Sequence, residues 1–224
     1  MFSIAIDGPS GSGKSSMAKR IAKALNIIYV DTGAIYRTTG LACIRNGIDC
    51  KDEDKIKLLL PNIDIQIEYS EDGSQRMFLN GEDVSTEIRL PEISIAASDV
   101  SSLGSVRSFL LDMQRKFARE YNVILDGRDI GTVVLPDADC KIYLTASAEE
   151  RARRRMLELE EKGTPQQFEE VLKDIEYRDY QDSHRDVAPL KQAEDAVLVD
   201  STNLNIDETF ERIMGIIHEK IACC

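Results

Sequence analysis

Gly8-Pro9-Ser10-Gly11-Ser12-Gly13-Lys14-Ser15 satisfies the spacing GxxxxGK[ST] in full. The chemistry open to such a stretch is the capture of phosphate. Glycines let successive backbone N–H groups point one way, and a following helix adds positive potential at its N-terminus. The Lys14 ammonium can then reach the β- and γ-phosphates of a nucleoside triphosphate, and the Ser15 hydroxyl can bind Mg2+. Two arginines stand in comparable settings further along. Arg37 closes Asp31-Thr32-Gly33-Ala34-Ile35-Tyr36-Arg37, and Arg128 lies in Asp126-Gly127-Arg128-Asp129. Each follows a short apolar run, at the strand ends where open α/β sheets bind ligands. A guanidinium fork matches phosphate oxygens two at a time, so together they predict a second phosphate site beside the first. Either arginine alone would read as an ordinary surface ion pair.

Arg151-Ala152-Arg153-Arg154-Arg155 places four cations in five residues, with Arg151, Arg154 and Arg155 spaced to share a helical face. A cationic face suits a lid closing over phosphates. It also fits a nucleic-acid patch, or a solvated face paired with Glu149, Glu150, Glu158, Glu160 and Glu161. Arg178, Asp182 and Arg185 have the spacing of another helical face, which alone reads as solvated. The two histidines, His184 and His218, are too few for a His-rich metal site and receive no role.

The elements that must carry these residues follow from hydrophobic period. Ile4 to Asp7 reads as a buried strand, and Met17, Ala18, Ile21, Ala22 and Leu25 return at helical spacing after the glycine loop. Ile27 to Val30 is a second strand, followed by a helix from Thr32 to about Arg45. Ile63, Ile65, Ile67 and Tyr69 alternate with polar residues, turn at Glu71-Asp72-Gly73-Ser74, and return through Met77 to Leu79 as an antiparallel hairpin. One helical stretch is expected from Ile93 to Tyr121. Strands follow at Val123 to Asp126, Lys141 to Leu144 and Val197 to Val199. Glu149 to Lys162 is a charged helix, broken at Gly163-Thr164-Pro165, and Ile206 to Ile221 is an amphipathic terminal helix. Strands alternating with helices predict α/β architecture with a parallel sheet, and the hairpin predicts an inserted subdomain.

Composition bounds the partners. The chain has 224 residues with 28 Lys plus Arg against 40 Asp plus Glu, a net charge of −12 that repels nucleic acids and anionic membranes. No apolar run approaches a membrane span, and the start of the chain lacks a basic and apolar leader. The five cysteines, Cys43, Cys50, Cys140, Cys223 and Cys224, are odd in number and lack CxxC spacing, which predicts reduced thiols and a cytoplasmic protein. An NKxD guanine-reading sequence does not occur, and Gly127 follows Asp126 where many motor ATPases carry a glutamate. Transfer to a bound acceptor is therefore favoured over hydrolysis.

Taken end to end, the chain resembles the bacterial cytidylate kinase family of P-loop monophosphate kinases. The resemblance rests on Ile6 to Ser15, Asp31 to Arg37, Asp126-Gly127-Arg128-Asp129-Ile130-Gly131-Thr132-Val133-Val134, Glu150-Arg151-Ala152 with Arg154-Arg155-Met156, and Val187-Ala188-Pro189-Leu190. It implies a single P-loop NTPase fold over residues 1–224, three layers α/β/α with a five-stranded parallel sheet. A monophosphate-binding insertion over 36–105 and a helical lid over 149–165 are implied with it. By matching position it implies that Thr32, Arg37, Arg128 and Arg185 hold the acceptor phosphate, that Ser98, Arg107 and Asp129 read cytosine, and that Arg178 and Asp182 contact the sugar. Gly8 through Ser16, with Arg154, would bind ATP; Lys14, Arg128, Arg151 and Arg155 would be catalytic, with Ser15 on Mg2+. The implied substrates are CMP and dCMP with ATP and ADP, acted on by a monomer with neither nucleic acid nor membrane as partner. UMP, AMP or shikimate as acceptor, a non-catalytic nucleotide-binding protein, and an RNA-binding module remain as alternatives.

Overall fold

The computed structural model describes residues 1–71, 73–161 and 163–221. Asp72 of the expected hairpin turn, Lys162 of the expected lid, and Cys223 and Cys224 lie outside the described residues.

Strand β1 (Ser3–Asp7) is central in a five-stranded parallel sheet. The others are β2 (Ile28–Asp31), β6 (Val123–Gly127), β7 (Cys140–Thr145) and β8 (Val197–Asp200), in the order β2-β6-β1-β7-β8. Parallel register sets Asp7 level with Gly127 and Tyr143, and Asp31 level with Asp126. All four chain exits that matter for chemistry thus emerge at one edge. The strands are short apolar runs because both faces of the sheet are covered. Along β1, Ala5 enters one core while Ile4 and Ile6 enter the other, as a period of two demands.

Helices α1 (Lys14–Leu25) and α8 (Ile206–Ile221) cover one face. Helix α8 presents Ile213 and Ile217, four residues apart and both buried. The other face is covered by α2 (Thr32–Arg45), α4 (Pro91–Ser101) and α5 (Gly104–Glu120). Between α2 and α4 lie α3 (Glu53–Leu59) and a small antiparallel sheet of β3 (Ile65–Tyr69), β4 (Gln75–Leu79) and β5 (Glu82–Asp83). Its buried side chains Ile65, Met77 and Leu79 join the same core as Val30 and Leu125 of the main sheet. Helices α6 (Ala148–Glu161) and α7 (Phe168–His184) pack on each other through Ala152, Leu159, Val171 and Ile175, a separate small core.

Two expectations are corrected. The stretch from Ile93 to Tyr121 is two helices, not one: Leu103 is extended, and the Ser101 and Ser102 hydroxyls donate to the Ser98 and Asp99 carbonyls, competing with the helical ladder. Arg185 lies beyond α7 in extended backbone, so it does not share a helical face with Arg178 and Asp182. Helix α3, about two turns long, is too short to show a period, and its signal is the Asp52 carboxylate accepting the Lys55 N–H at 3.1 Å. Among the described residues no helix is long and apolar enough to cross a membrane.

Candidate active site

The glycine loop leaves β1 at Gly8, whose φ of +150° belongs to glycine and whose Cβ, were one present, would stand 2.0 Å from the Leu144 carbonyl oxygen. Among the described residues no side chain caps the N-terminus of α1, which begins at Lys14 after Gly13 in a left-handed conformation. The first-turn amides are therefore directed into the loop, the arrangement that binds phosphate oxygens. Lys14 lies across the loop, its Nζ donating to the Pro9 carbonyl at 2.7 Å. Burial, and after it the neighbouring Arg128 charge, hold the Lys14 ammonium well below the usual lysine range.

Ser15 donates its hydroxyl to Asp126 at 2.7 Å, and Tyr29 donates to the other oxygen of the same carboxylate at 2.9 Å. Burial, then the Asp31 charge, raises the Asp126 pKa. The hydroxyl and the carboxylate are hard oxygen donors of the kind Mg2+ takes. Among the described residues there is no group of three or more His, Cys, Asp or Glu side chains suited to a metal.

Arg151 approaches the loop from the first turn of α6. Gly11, at φ +73°, has the Arg151 Cβ 3.3 Å from where its own would stand. The buried Arg151 guanidinium donates to the Ser10 carbonyl at 3.0 Å and to both oxygens of Asp179 at 3.0 and 2.6 Å. Arg154 donates to Glu150 at 3.0 Å and to the Ser201 carbonyl at 2.7 Å. It borders a cavity of about 240 Å³ with Ser12, Gly13, Ser16, Asn205 and Thr209. Arg155, expected on the same face, is turned outward and pairs with Glu158 at 2.9 Å.

The second half of the site lies beyond β2 and β6. The Asp31 carboxylate caps α2 by accepting the Ala34 N–H at 2.9 Å, and its other oxygen accepts from Arg37 at 2.9 Å. The Nε of Arg37 is buried without a hydrogen-bond partner among the described residues. Thr32 donates its hydroxyl to the Asp126 carbonyl at 2.6 Å. Arg128 pairs with Asp182 at 2.6 Å. Asp129 is gripped by Arg107 on one oxygen and lies 3.4 Å from Arg185 on the other. Arg107 also stands over the Tyr36 ring, 5.6 Å from its centroid. Arg37, Arg107, Arg128 and Arg185 thus each have an aspartate partner at this end of the molecule. Ser98 and Arg178 are exposed, on α4 and α7.

Three contributors were given no role from the sequence. Asp7 accepts the Ile130 and Gly131 N–H groups at 2.8 and 2.7 Å, which fixes the turn bearing Arg128 and Asp129. Asp179 holds Arg151. Gln75, on the inserted sheet, bonds both backbone groups of Asp31. Asp7 had a signal in standing directly before the glycine loop at a strand end; Asp179 and Gln75 had none.

The glycine loop after the central strand of a parallel sheet, with a lysine over it and a hydroxyl–carboxylate pair beside it, places the chain among the P-loop nucleoside triphosphate-binding proteins. The family model described as cytidylate kinase matches residues 4–219. A cytidylate kinase of Thermosipho melanesiensis is 51% identical over 217 residues, covering 97% of each chain. One from Lactobacillus johnsonii is 49% identical over 220 residues, covering 98% of this chain and 95% of that one. The crystal structure of an uncharacterized protein from Eubacterium ventriosum shares the fold with a TM-score of 0.51 at 15% identity, over 97% of this chain and 98% of that one. The chain belongs to the cytidylate kinase family, and is an enzyme that uses ATP to phosphorylate CMP.

Proposed function

We propose that the chain phosphorylates both CMP and dCMP, with Mg2+ on the donor phosphates and an arginine cluster on the acceptor. The observation that carries this reading is the buried pair of Arg107 and Asp129. Cytosine offers an N4 amino donor next to an N3 acceptor. A carboxylate and a guanidinium side by side answer that pattern, whereas uracil reverses it and would leave buried groups unpaired. Ser98 would complete the base contacts. Arg178 and Asp182 would face the sugar, and since Arg178 is exposed, a missing 2′-hydroxyl costs it little beyond a contact water can replace.

Gly8 through Ser16 would cradle the donor phosphates, with Arg154 on the nucleotide beyond them. Ser15 and Asp126 would hold Mg2+, which when bound offsets charge on the transferring group. Lys14, Arg128 and Arg151 would converge on that group, and Arg155 would reach it only after the lid over 149–165 moves. Thr32, Arg37, Arg128 and Arg185 would hold the acceptor phosphate, and the insertion over 36–105, which includes Arg37, would be the monophosphate-binding part of the chain. The attacking phosphate oxygen is already anionic, so no general base is needed, and the work of the site is positioning and charge stabilisation. We further propose a cytoplasmic monomer that binds neither nucleic acid nor membrane, a reading supported by the net charge of −12 and by buried free thiols at Cys43, Cys50 and Cys140.

The test is ADP formation from MgATP with CMP, dCMP, UMP, AMP or no acceptor. Turnover with CMP and dCMP well above UMP and AMP is expected. Equal turnover with UMP would overturn the roles of Arg107 and Asp129, and ADP without acceptor would overturn the acceptor site.

A further inference from the structure

Strand β2 lies at the edge of the main sheet, hydrogen-bonded on one side to β6. An edge strand presents a row of backbone groups that something must satisfy. Here the partners are side chains of the inserted sheet. The Tyr69 hydroxyl donates to the Tyr29 carbonyl at 3.0 Å. The Gln75 carboxamide accepts the Asp31 N–H at 2.8 Å and donates to the Asp31 carbonyl at 3.3 Å. Tyr69 and Gln75 face each other across β3 and β4 in register, so one rung of the hairpin clasps two alternate residues of β2. The Tyr69 ring is seated edge-on against Phe117 of α5, with centroids 6.3 Å apart, which anchors the rung to the main core.

What the clasp holds is the residue that aims the acceptor arginine. The Asp31 backbone is fixed on both its groups by Gln75, and its carboxylate is divided between the Ala34 amide and Arg37. A rotation of Asp31 would move the Arg37 fork with it.

We propose that Gln75 is a positioning residue for the acceptor phosphate, acting through Asp31 on Arg37, so that the inserted sheet is part of the acceptor site without touching the acceptor. The inference rests on Arg37 as a ligand of the acceptor phosphate. It assigns to the insertion a task distinct from covering the core: it couples the place of the small sheet to the aim of one guanidinium. Gln75 lies on the β4 strand, half-buried, and its amide also contacts the Met77 sulfur at 3.1 Å, which limits its rotamers.

The test is steady-state kinetics on the full chain for Q75L, R37A and the double variant, with unfolding midpoints measured in parallel. Loss of the carboxamide is expected to raise KM for CMP roughly tenfold, with KM for ATP changed by less than about twofold, because only the acceptor arm is misaligned. In the R37A background the same substitution is expected to add nothing, since residues acting through one another are not independent. A Q75L effect that multiplies in full onto R37A, or equal rises in both KM values, overturns the inference and leaves Gln75 a structural residue. An R37A chain with an unchanged KM for CMP instead overturns the role of Arg37 itself. Should Q75L fail to fold, Q75E keeps the acceptor for the Asp31 N–H while losing the donor to the carbonyl, and the same two comparisons decide.

Discussion

Lys14 carries its charge where burial opposes it, pressed against the Pro9 carbonyl and near Arg128. Such a group is a poor contributor to stability and a ready partner for phosphate. Lys14→Ala is expected to lower turnover by roughly three orders of magnitude, as for other charge-stabilising groups, while the cooperative unfolding transition is retained. Single-turnover kinetics with a urea titration checks both parts. Asp7 is a second residue out of its usual range: burial pushes its pKa up to about 6, against the two amide hydrogen bonds and with the Asp129 charge adding to the rise. In the unfolded chain the same carboxyl ionises near 3.8. Between those values the folded protein holds the proton and the unfolded chain has lost it, so stability from this group falls as pH rises and levels off above about 6. The gap corresponds to roughly 3 kcal/mol. Denaturant titrations from pH 4 to pH 7 are expected to show that downward trend in the native chain relative to Asp7→Asn, and parallel curves for the two would reject it.

At the scale of elements, the pair of α6 and α7 has a small core of its own and depends on one two-pronged ion pair, Arg151 with Asp179. Removing one partner of a buried pair leaves the other charge uncompensated. Because Asp179 keeps 27% of its side-chain exposure, Asp179→Asn is expected to cost on the order of 2 kcal/mol in urea unfolding, less than for a fully buried pair. It should also raise KM for ATP, since Arg151 spans from α6 to the Ser10 carbonyl of the loop. Most elements were legible in the sequence because period and breakers agree: Ile4 to Asp7, Gly8 to Ser15 and Met17 to Leu25 each carry their own signal. The break at Leu103 was hidden because Val100, Leu103, Val106 and Leu110 keep an apolar spacing of three and four residues across it. The outward turn of Arg155 was equally hidden. On α6, three- and four-residue spacing brings cations to one broad face, but only tertiary contacts decide which of them find the loop and which find Glu158. The partners Asp179 and Gln75 are illegible for a related reason, since each meets its target across a distance in sequence that no local pattern spans.

At the scale of the molecule, the sheet order separates two tasks around β1. The cores on its two faces are distinct: one is built with α1 and α8, the other with α2, α4, α5 and the inserted sheet. The glycine loop opens into the first half, and the aspartate-paired arginines gather around the second. With a net charge of −12, attraction to anionic nucleotides is a local property of the site, and the whole chain is expected to show no affinity for single-stranded RNA even at low salt. Fluorescence anisotropy of a labelled oligonucleotide at 20 to 50 mM salt, roughly the range where electrostatic binding is strongest, checks this directly.

The rung of Tyr69 and Gln75 on β2 has a bearing on solubility as well. A bare strand edge is a template on which another chain can add its own strand. Here the positions a foreign strand would need, the Tyr29 carbonyl and both groups of Asp31, are taken by side chains. A chain carrying Y69F and Q75L together is expected to self-associate with rising protein concentration in light scattering while keeping its helix content by circular dichroism. The polar clasp would then count as a guard against aggregation, one that a screen for activity alone would overlook.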